Sequence, residues 1–360
     1  MTTNSKSWTR CLEDQKSIQK ILVMRWSAMG DVALASASFE DLHNAFPEAE
    51  LHLNTLAPWD KLFAQDPRFT KIIALDLRGR DQQLKTALAW LSRVKQEHYD
   101  LIVDLQCTDR SRIMISALWL NGGQVPLRVG NARRFPYNIA PSTQPEPVHA
   151  HTRNQRALQA AGIKTKCQRP VLFPSLQDQQ AALEKRQLTG ISAGRYAVFL
   201  PGCQAAGYLK RWGAERYAAL ADELSTQGID DVLLLGGPDE VEECEKIHQL
   251  SQARTHNLCG QTQLLELIPL AQDAALVVAN DTGTAHVVAT TGVPMWVICG
   301  PTDPRKVLPV GDHVSYLQAD LSCINCYRKH CSHHSCMVKM TPDMVLKSIK
   351  KRGVIVPEPR

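Results

Sequence analysis

Short apolar runs recur along the chain, each followed by turn formers and then by a longer stretch of mixed polarity. In the first half the runs are Ile21-Leu22-Val23-Met24, Leu51-His52-Leu53, Ile72-Ile73-Ala74-Leu75 and residues 99–104. Helical patterning predicts helices over about 32–45 and 82–97. Strands alternating with helices at this spacing predict a parallel sheet with crossover helices. Runs that lack polar alternation fit strands covered on both faces. Residues 1–19 read as a polar leader and 130–148 as irregular. Over 165–194, Pro170, Pro174, Gly190 and Gly194 flank a polar helix, and a domain boundary is placed there. The pattern then restarts, with strands predicted over 196–200, 231–235, 274–279 and 295–298, and helices over 212–227, 239–251 and 341–351. The expectation is two successive doubly wound α/β domains, 1–175 and 176–360, with the last helix a candidate to pack back on the first. Ligands are expected at the carboxyl ends of the strands.

Length and composition change this picture little. A chain of 360 residues can bury two cores. It has no apolar run long enough to span a bilayer and no apolar signal region near its start, so a cytosolic location is expected. Seven of the eleven cysteines (Cys11, Cys107, Cys167, Cys203, Cys244, Cys259, Cys299) are scattered and read as structural thiols. Residues 1–190 hold 25 Lys+Arg against 18 Asp+Glu, while the rest holds 16 against 18. The basic half suits an anionic partner such as a phosphorylated molecule or a membrane surface, and equally suits an ordinary solvated surface. No nucleic-acid module is visible.

Five stretches could carry chemistry. At 280–294 a buried strand ends in Asn280-Asp281-Thr282-Gly283, and Thr284-Ala285-His286 opens a helical stretch closed by Gly292 and Pro294. Free backbone N–H groups at such a start attract an anion, and glycine allows close approach; Asp281 as a plain cap is the alternative. Ser27-Ala28-Met29-Gly30-Asp31 likewise delivers a carboxylate to a helix start, as a cap or as a base, without the glycine fingerprint of a dinucleotide site. Lys210 and Arg211 stand together before a helix, where two cations suit a pyrophosphate. Asp239 follows Gly236-Gly237-Pro238 and could accept from ribose hydroxyls or cap the next helix. Cys323-x2-Cys326-x4-Cys331-x4-Cys336, with His330, His333 and His334 interspersed, has ligand-like spacing but not that of a paired CxxC ribbon. A metal site and reduced thiols packed in a loop both remain open.

Taken together these residues resemble glycosyltransferase family 9, the bacterial lipopolysaccharide heptosyltransferases. The resemblance rests on ILVMRWSAMGDVALA, DLQCTDRSR at 104–112, LKRWGAERYAALA at 209–221, and NDTGTAHVVATTGVP with GPTDP at 300–304. The cysteine segment followed by TPDMV is similar to the tail of the heptosyltransferase II branch. Trp26, Ala28 and the stretch 33–37 depart from the family pattern.

The resemblance implies a GT-B fold, in which two Rossmann-like doubly wound parallel-sheet domains face a central cleft. The donor would sit on the C-terminal domain and the acceptor on the N-terminal one. It also implies ADP-L-glycero-β-D-manno-heptose as donor, transfer with inversion, no required cofactor, and the lipopolysaccharide inner core as acceptor. Carried over, Asp31 is the general base and Lys210, with Arg211, meets the diphosphate. Asp239 meets the ribose, and Asp281, Thr282, Gly283 and His286 meet the phosphate–sugar junction. Arg110, Arg112, Arg133 and Arg134 are candidates for the phosphorylated acceptor. Work at the inner face of the inner membrane, as a peripheral protein, follows from that acceptor. Rival readings are a protein O-heptosyltransferase, a transferase of another nucleotide sugar, and a non-catalytic protein whose cysteines sense metal or redox state.

Overall fold

A computed structural model describes residues 18–76, 80–142, 148–203 and 205–355 of the chain. The chain divides into two compact units, Met1–Phe173 and Pro174–Arg360. The first holds β1 (Lys20–Met24), α1 (Met29–Ala45), β2 (Glu50–Leu56), β3 (Lys71–Leu75), α2 (Arg80–Glu97), β4 (Leu101–Asp104), α3 (Asp109–Leu120), β5 (Leu127–Val129) and α4 (Ala150–Ala160). Its sheet is parallel, in the order β3-β2-β1-β4-β5. The sense of winding therefore reverses between β1 and β4. At such a switch point the loops leaving two neighbouring strands part to opposite faces and open a crevice at their carboxyl ends.

The second unit holds α5 (Leu176–Thr189), β6 (Tyr196–Leu200), α6 (Ala214–Ser225), β7 (Asp231–Leu234), α7 (Val241–Leu250), β8 (Arg254–Asn257), α8 (Leu267–Ala271) and β9 (Leu276–Asn280). It continues with α9 (Gly283–Val288), β10 (Met295–Cys299), α10 (Pro304–Val307), β11 (Val314–Gln318), α11 (Ser335–Val338) and α12 (Pro342–Lys351). Its parallel sheet runs β11-β10-β9-β6-β7-β8, so the reversal falls between β6 and β9. Those two strands are buried along their whole length. One cluster around Phe199, Trp212 and Trp296 covers one face, and another around Tyr196, Leu270 and Met295 covers the other.

Two expected helix boundaries need correction. Trp212 precedes its helix rather than opening it, because Gly213 sits at φ 108°, outside any helical conformation. The helix expected over 239–251 begins as a 3-10 turn at Pro238–Glu240. The last helix buries Val345 and Ile349 in the second unit's own core, and the Trp212 indole N–H donates to Met340 O at 2.7 Å. Of the leader, residues up to 17, including Cys11, lie outside the described residues. Ile18 is buried and Gln19 N–H donates to Asp100.

Candidate active-site residues

In the first unit, Asp31 lies in the first turn of α1, just past the carboxyl end of β1. Its Oδ2 accepts from Ala28 N–H at 3.3 Å and pairs with the Arg25 guanidinium at 3.0 Å. Asp31 thus does help to cap the helix, yet its side chain stays 43% exposed while that of Arg25 is 4% exposed. Burial works against the charge of Arg25 and Asp31 works for it. Arg25 also donates to Leu105 O at 2.6 Å, across the switch point to the loop after β4. Gln106 adds a second tie, its Oε1 accepting from Trp26 N–H at 3.0 Å and Ser27 N–H at 3.2 Å. That loop is itself anchored by buried Asp104, which accepts from Tyr137 Oη at 2.6 Å and from the N–H groups of Gln106 and Cys107. Burial raises the Asp104 carboxyl, and these donors oppose it.

Arg110, Arg133 and Arg134 are exposed. Arg112 pairs with Asp109 one turn back at 3.0 Å. Trp26, which departs from the family pattern, is core: its indole N–H donates to Asn54 Oδ1 at 2.9 Å, beside the Trp90 indole at 3.1 Å.

In the second unit the segments after β6 and β9 meet at the switch point. The Lys210 ammonium lies 2.8 Å from Asp281 Oδ2, and the Thr302 hydroxyl donates to the same oxygen at 2.7 Å. Here the carboxylate is buried at 7% and the cation 30% exposed. Thr282, not Asp281, occupies the cap position of α9. Asp281 is thereby free to order Lys210. Asn280 bonds both Tyr217 Oη and Pro201 O, locking the end of β9 to the loop after β6. Arg211 is a brace, donating to Cys203 O and Asp239 O, each at 3.0 Å. The Asp239 side chain is exposed. Its neighbour Glu240 is buried and folds back on Gly237 N–H. Only glycine fits at 202, since a Cβ there would meet Glu240 Cγ at 1.6 Å. His286 is 9% exposed on α9.

The cysteine segment packs beside these loops. Among the described residues no group of three or more His, Cys, Asp or Glu stands ready to hold a metal ion. Cys331 is held below the usual thiol range by the N–H groups of His334 and His333, whereas burial, ahead of Cys326 and Cys331, raises Cys336.

This arrangement can bind an anion at the second unit's switch point and take a proton at the first unit's. The family model for glycosyltransferase family 9 (heptosyltransferase) matches residues 88–337. The chain belongs to glycosyltransferase family 9. It is therefore a glycosyltransferase. Lipooligosaccharide heptosyltransferase 2 of Haemophilus influenzae is 26% identical, over 92% of this chain and 98% of that relative. The crystal structure of a family 9 glycosyltransferase from Veillonella parvula matches with a TM-score of 0.78 at 20% identity, covering 92% and 96% of the two chains. E. coli ADP-heptose LPS heptosyltransferase II matches at 0.70 and 21%, covering 92% and 98%. Both structures carry the GT-B fold, and the two parallel-sheet units described above are its two halves.

Arg25, Gln106, Asn280, Thr302 and Glu240 were not singled out from the sequence. An arginine closing the apolar run ILVMR was a usable signal for the first. Gln106 lies in the segment DLQCTDRSR, but its role was not legible there, since it acts on residues about 80 positions away.

Proposed function

We propose that this family 9 enzyme transfers heptose from ADP-L-glycero-β-D-manno-heptose to the inner core of lipopolysaccharide. The transfer inverts the anomeric centre in one displacement and needs no catalytic metal. The observation that carries the reading is the Lys210–Asp281–Thr302 cluster. It holds an accessible cation beside the amino end of α9, where a nucleoside diphosphate would find both a counter-charge and free N–H groups. The relatives, heptosyltransferases of lipopolysaccharide and lipooligosaccharide, favour the same donor and acceptor.

In this reading Asp31 takes the proton of the acceptor hydroxyl as it attacks the anomeric carbon. The bond to the diphosphate oxygen breaks, and charge grows on the departing ADP. Lys210 and the backbone N–H groups after Asp281 stabilise that charge without reorganising. Asp239 meets the ribose, and His286 with Thr282 and Gly283 meets the phosphate–sugar junction. One base suffices, unlike the carboxylate pair of a retaining hydrolase. The acceptor side falls to the first unit, with its excess of basic residues. The enzyme works at the cytoplasmic face of the inner membrane, where that acceptor lies. No helix among the described residues is long and apolar enough to cross a membrane.

The test is incubation with ADP-heptose and, separately, a lipid inner-core acceptor and protein acceptors, followed by mass spectrometry. A heptose mass added to the lipid is expected. Addition to protein alone would replace the acceptor. No addition from ADP-heptose, with turnover of another nucleotide sugar, would replace the donor.

A further inference from the structure

The clustered cysteines take no part in the proposed transfer, yet their loop needs something to hold it. None of residues 321–336 is buried, and β11 and α11 leave most of them in irregular backbone. Despite that lack of core, the chain turns tightly. Asn325, Tyr327 and His334 all adopt left-handed φ, at 60°, 53° and 45°. Non-glycine residues keep such conformations only where their surroundings impose them. What the turns accomplish is to bring all four cysteines, with Arg328, His333 and His334, around one cavity of about 20 Å³, the room of one water or one ion. His334 N–H also points at Cys331 Sγ, 3.4 Å away. Backbone N–H groups aimed at sulfur suit a thiolate rather than a thiol.

We propose that Cys323, Cys326, Cys331 and Cys336 bind one thiophilic divalent ion, of zinc or ferrous type, as a structural staple of this loop. Four sulfurs around one small cavity match a tetrahedral thiolate site, and soft sulfur ligands select these metals over magnesium or calcium. The side chains do not converge in the structure as it stands. Sites of this kind close as the ion binds, with the ligands losing protons and drawing in around it. His333 is left out of the ligand set because four thiolates already complete a tetrahedral site.

The staple would have a mechanical consequence. His334 Nε2 bonds Leu209 O at 2.7 Å, one residue before Lys210. Tyr327 N–H donates to Pro301 O at 3.0 Å, and its hydroxyl accepts from Asp303 N–H at 3.1 Å. Gln318 ties Asn325 to the carbonyls of Gly300 and Thr302. The cysteine loop thus braces the segments that carry Lys210 and Thr302.

The test uses the full chain, purified under reducing conditions, stripped with a chelator and reloaded anaerobically with Zn²⁺, Fe²⁺ or Co²⁺ as a spectroscopic probe. Expected are about one ion per chain, thiolate-to-cobalt charge-transfer absorption, and protection of the four cysteines from alkylation. Cys326→Ser and Cys331→Ser should abolish the cobalt band. Should those variants not fold, thiol protection in the unaltered chain decides the matter. The proposal is overturned if no ion is retained after reloading, if zinc leaves alkylation of the four cysteines unchanged, or if they are found paired as disulfides. None of these measurements involves heptose transfer, so the staple can fail while the catalytic reading stands.

Discussion

Each unit places one aspartate at its switch point and pairs it with one cation, but the two pairs are built in opposite senses. In the first, the cation is buried and the carboxylate exposed, with Arg25 at 4% and Asp31 at 43%. In the second, the carboxylate is buried and the cation exposed, with Asp281 at 7% and Lys210 at 30%. A buried charge is held by its surroundings and cannot easily change partner, since leaving it unpaired is costly. The exposed member is oriented by its partner yet open to a ligand. The inversion therefore fits the proposed roles. The first unit presents a carboxylate, suited to taking a proton, and the second presents a cation, suited to a diphosphate.

The strongest way to break that assignment is Asp31→Asn, which keeps an oxygen for the Ala28 N–H but removes the charge. Loss of a general base commonly costs on the order of 10²–10⁴-fold in rate. The variant should fold, bind ADP-heptose in calorimetry as the parent does, and be nearly inactive. Near-parental turnover would leave Asp31 as a cap. Lys210→Ala should instead act on the donor. A charge-assisted contact is worth roughly 1.5–3 kcal/mol, so ADP-heptose affinity should fall about 10- to 150-fold. Unchanged affinity would remove the diphosphate role. Arg25→Met tests whether the buried partner positions the base: kcat should drop ~10-fold with donor affinity intact, since misplacing a reacting group by a fraction of an ångström has costs of this order. Arg25→Lys should recover part of it. Unchanged kcat in Arg25→Met would remove the positioning role.

The sequence made the central strands legible and the edges obscure, for one physical reason. Strands covered on both faces must be apolar throughout, so β1, β6 and β9 announce themselves. Edge strands carry polar residues: β8 is Arg-Thr-His-Asn, and it is held by pairing Arg254 and His256 with Asp231 of β7. β5 has only three residues, and β11 is half-exposed. All three were missed. Asp31, Lys210 and Asp281 were singled out because an acid or a cation between an apolar run and a helix is unusual locally. Their partners act across long stretches of sequence, as Thr302 does on Asp281 and Arg25 on Leu105. Such partners become visible only when the sheet order brings two loops together.

The last effect concerns stability and separates the units by acid. In the first, His151 on α4 is 4% exposed, and neither ring nitrogen has a hydrogen-bond partner among the described residues. Burial, then neighbouring His149, lowers its pKa from 6.5 to about 4. Between those values the unfolded chain binds a proton that the folded chain refuses. Stability from a neutral His151 is therefore complete above pH 6.5 and is lost as pH falls toward 4, at most ~3 kcal/mol. In the second unit His256 bonds Asp231 at 2.7 Å. There burial pushes the Asp231 carboxyl up, and Arg254 and His256 more than reverse it, so its pKa lies below 3.8. That contribution is kept until pH falls below the ordinary carboxylate range. Mild acid should thus loosen the first unit before the second, read by hydrogen exchange resolved along the chain. His151→Gln removes the titration, so the parent and the variant should converge in stability between pH 6.5 and 4, by a few degrees of melting temperature. A difference that stays constant with pH would show that His151 is already charged or solvated in the folded chain.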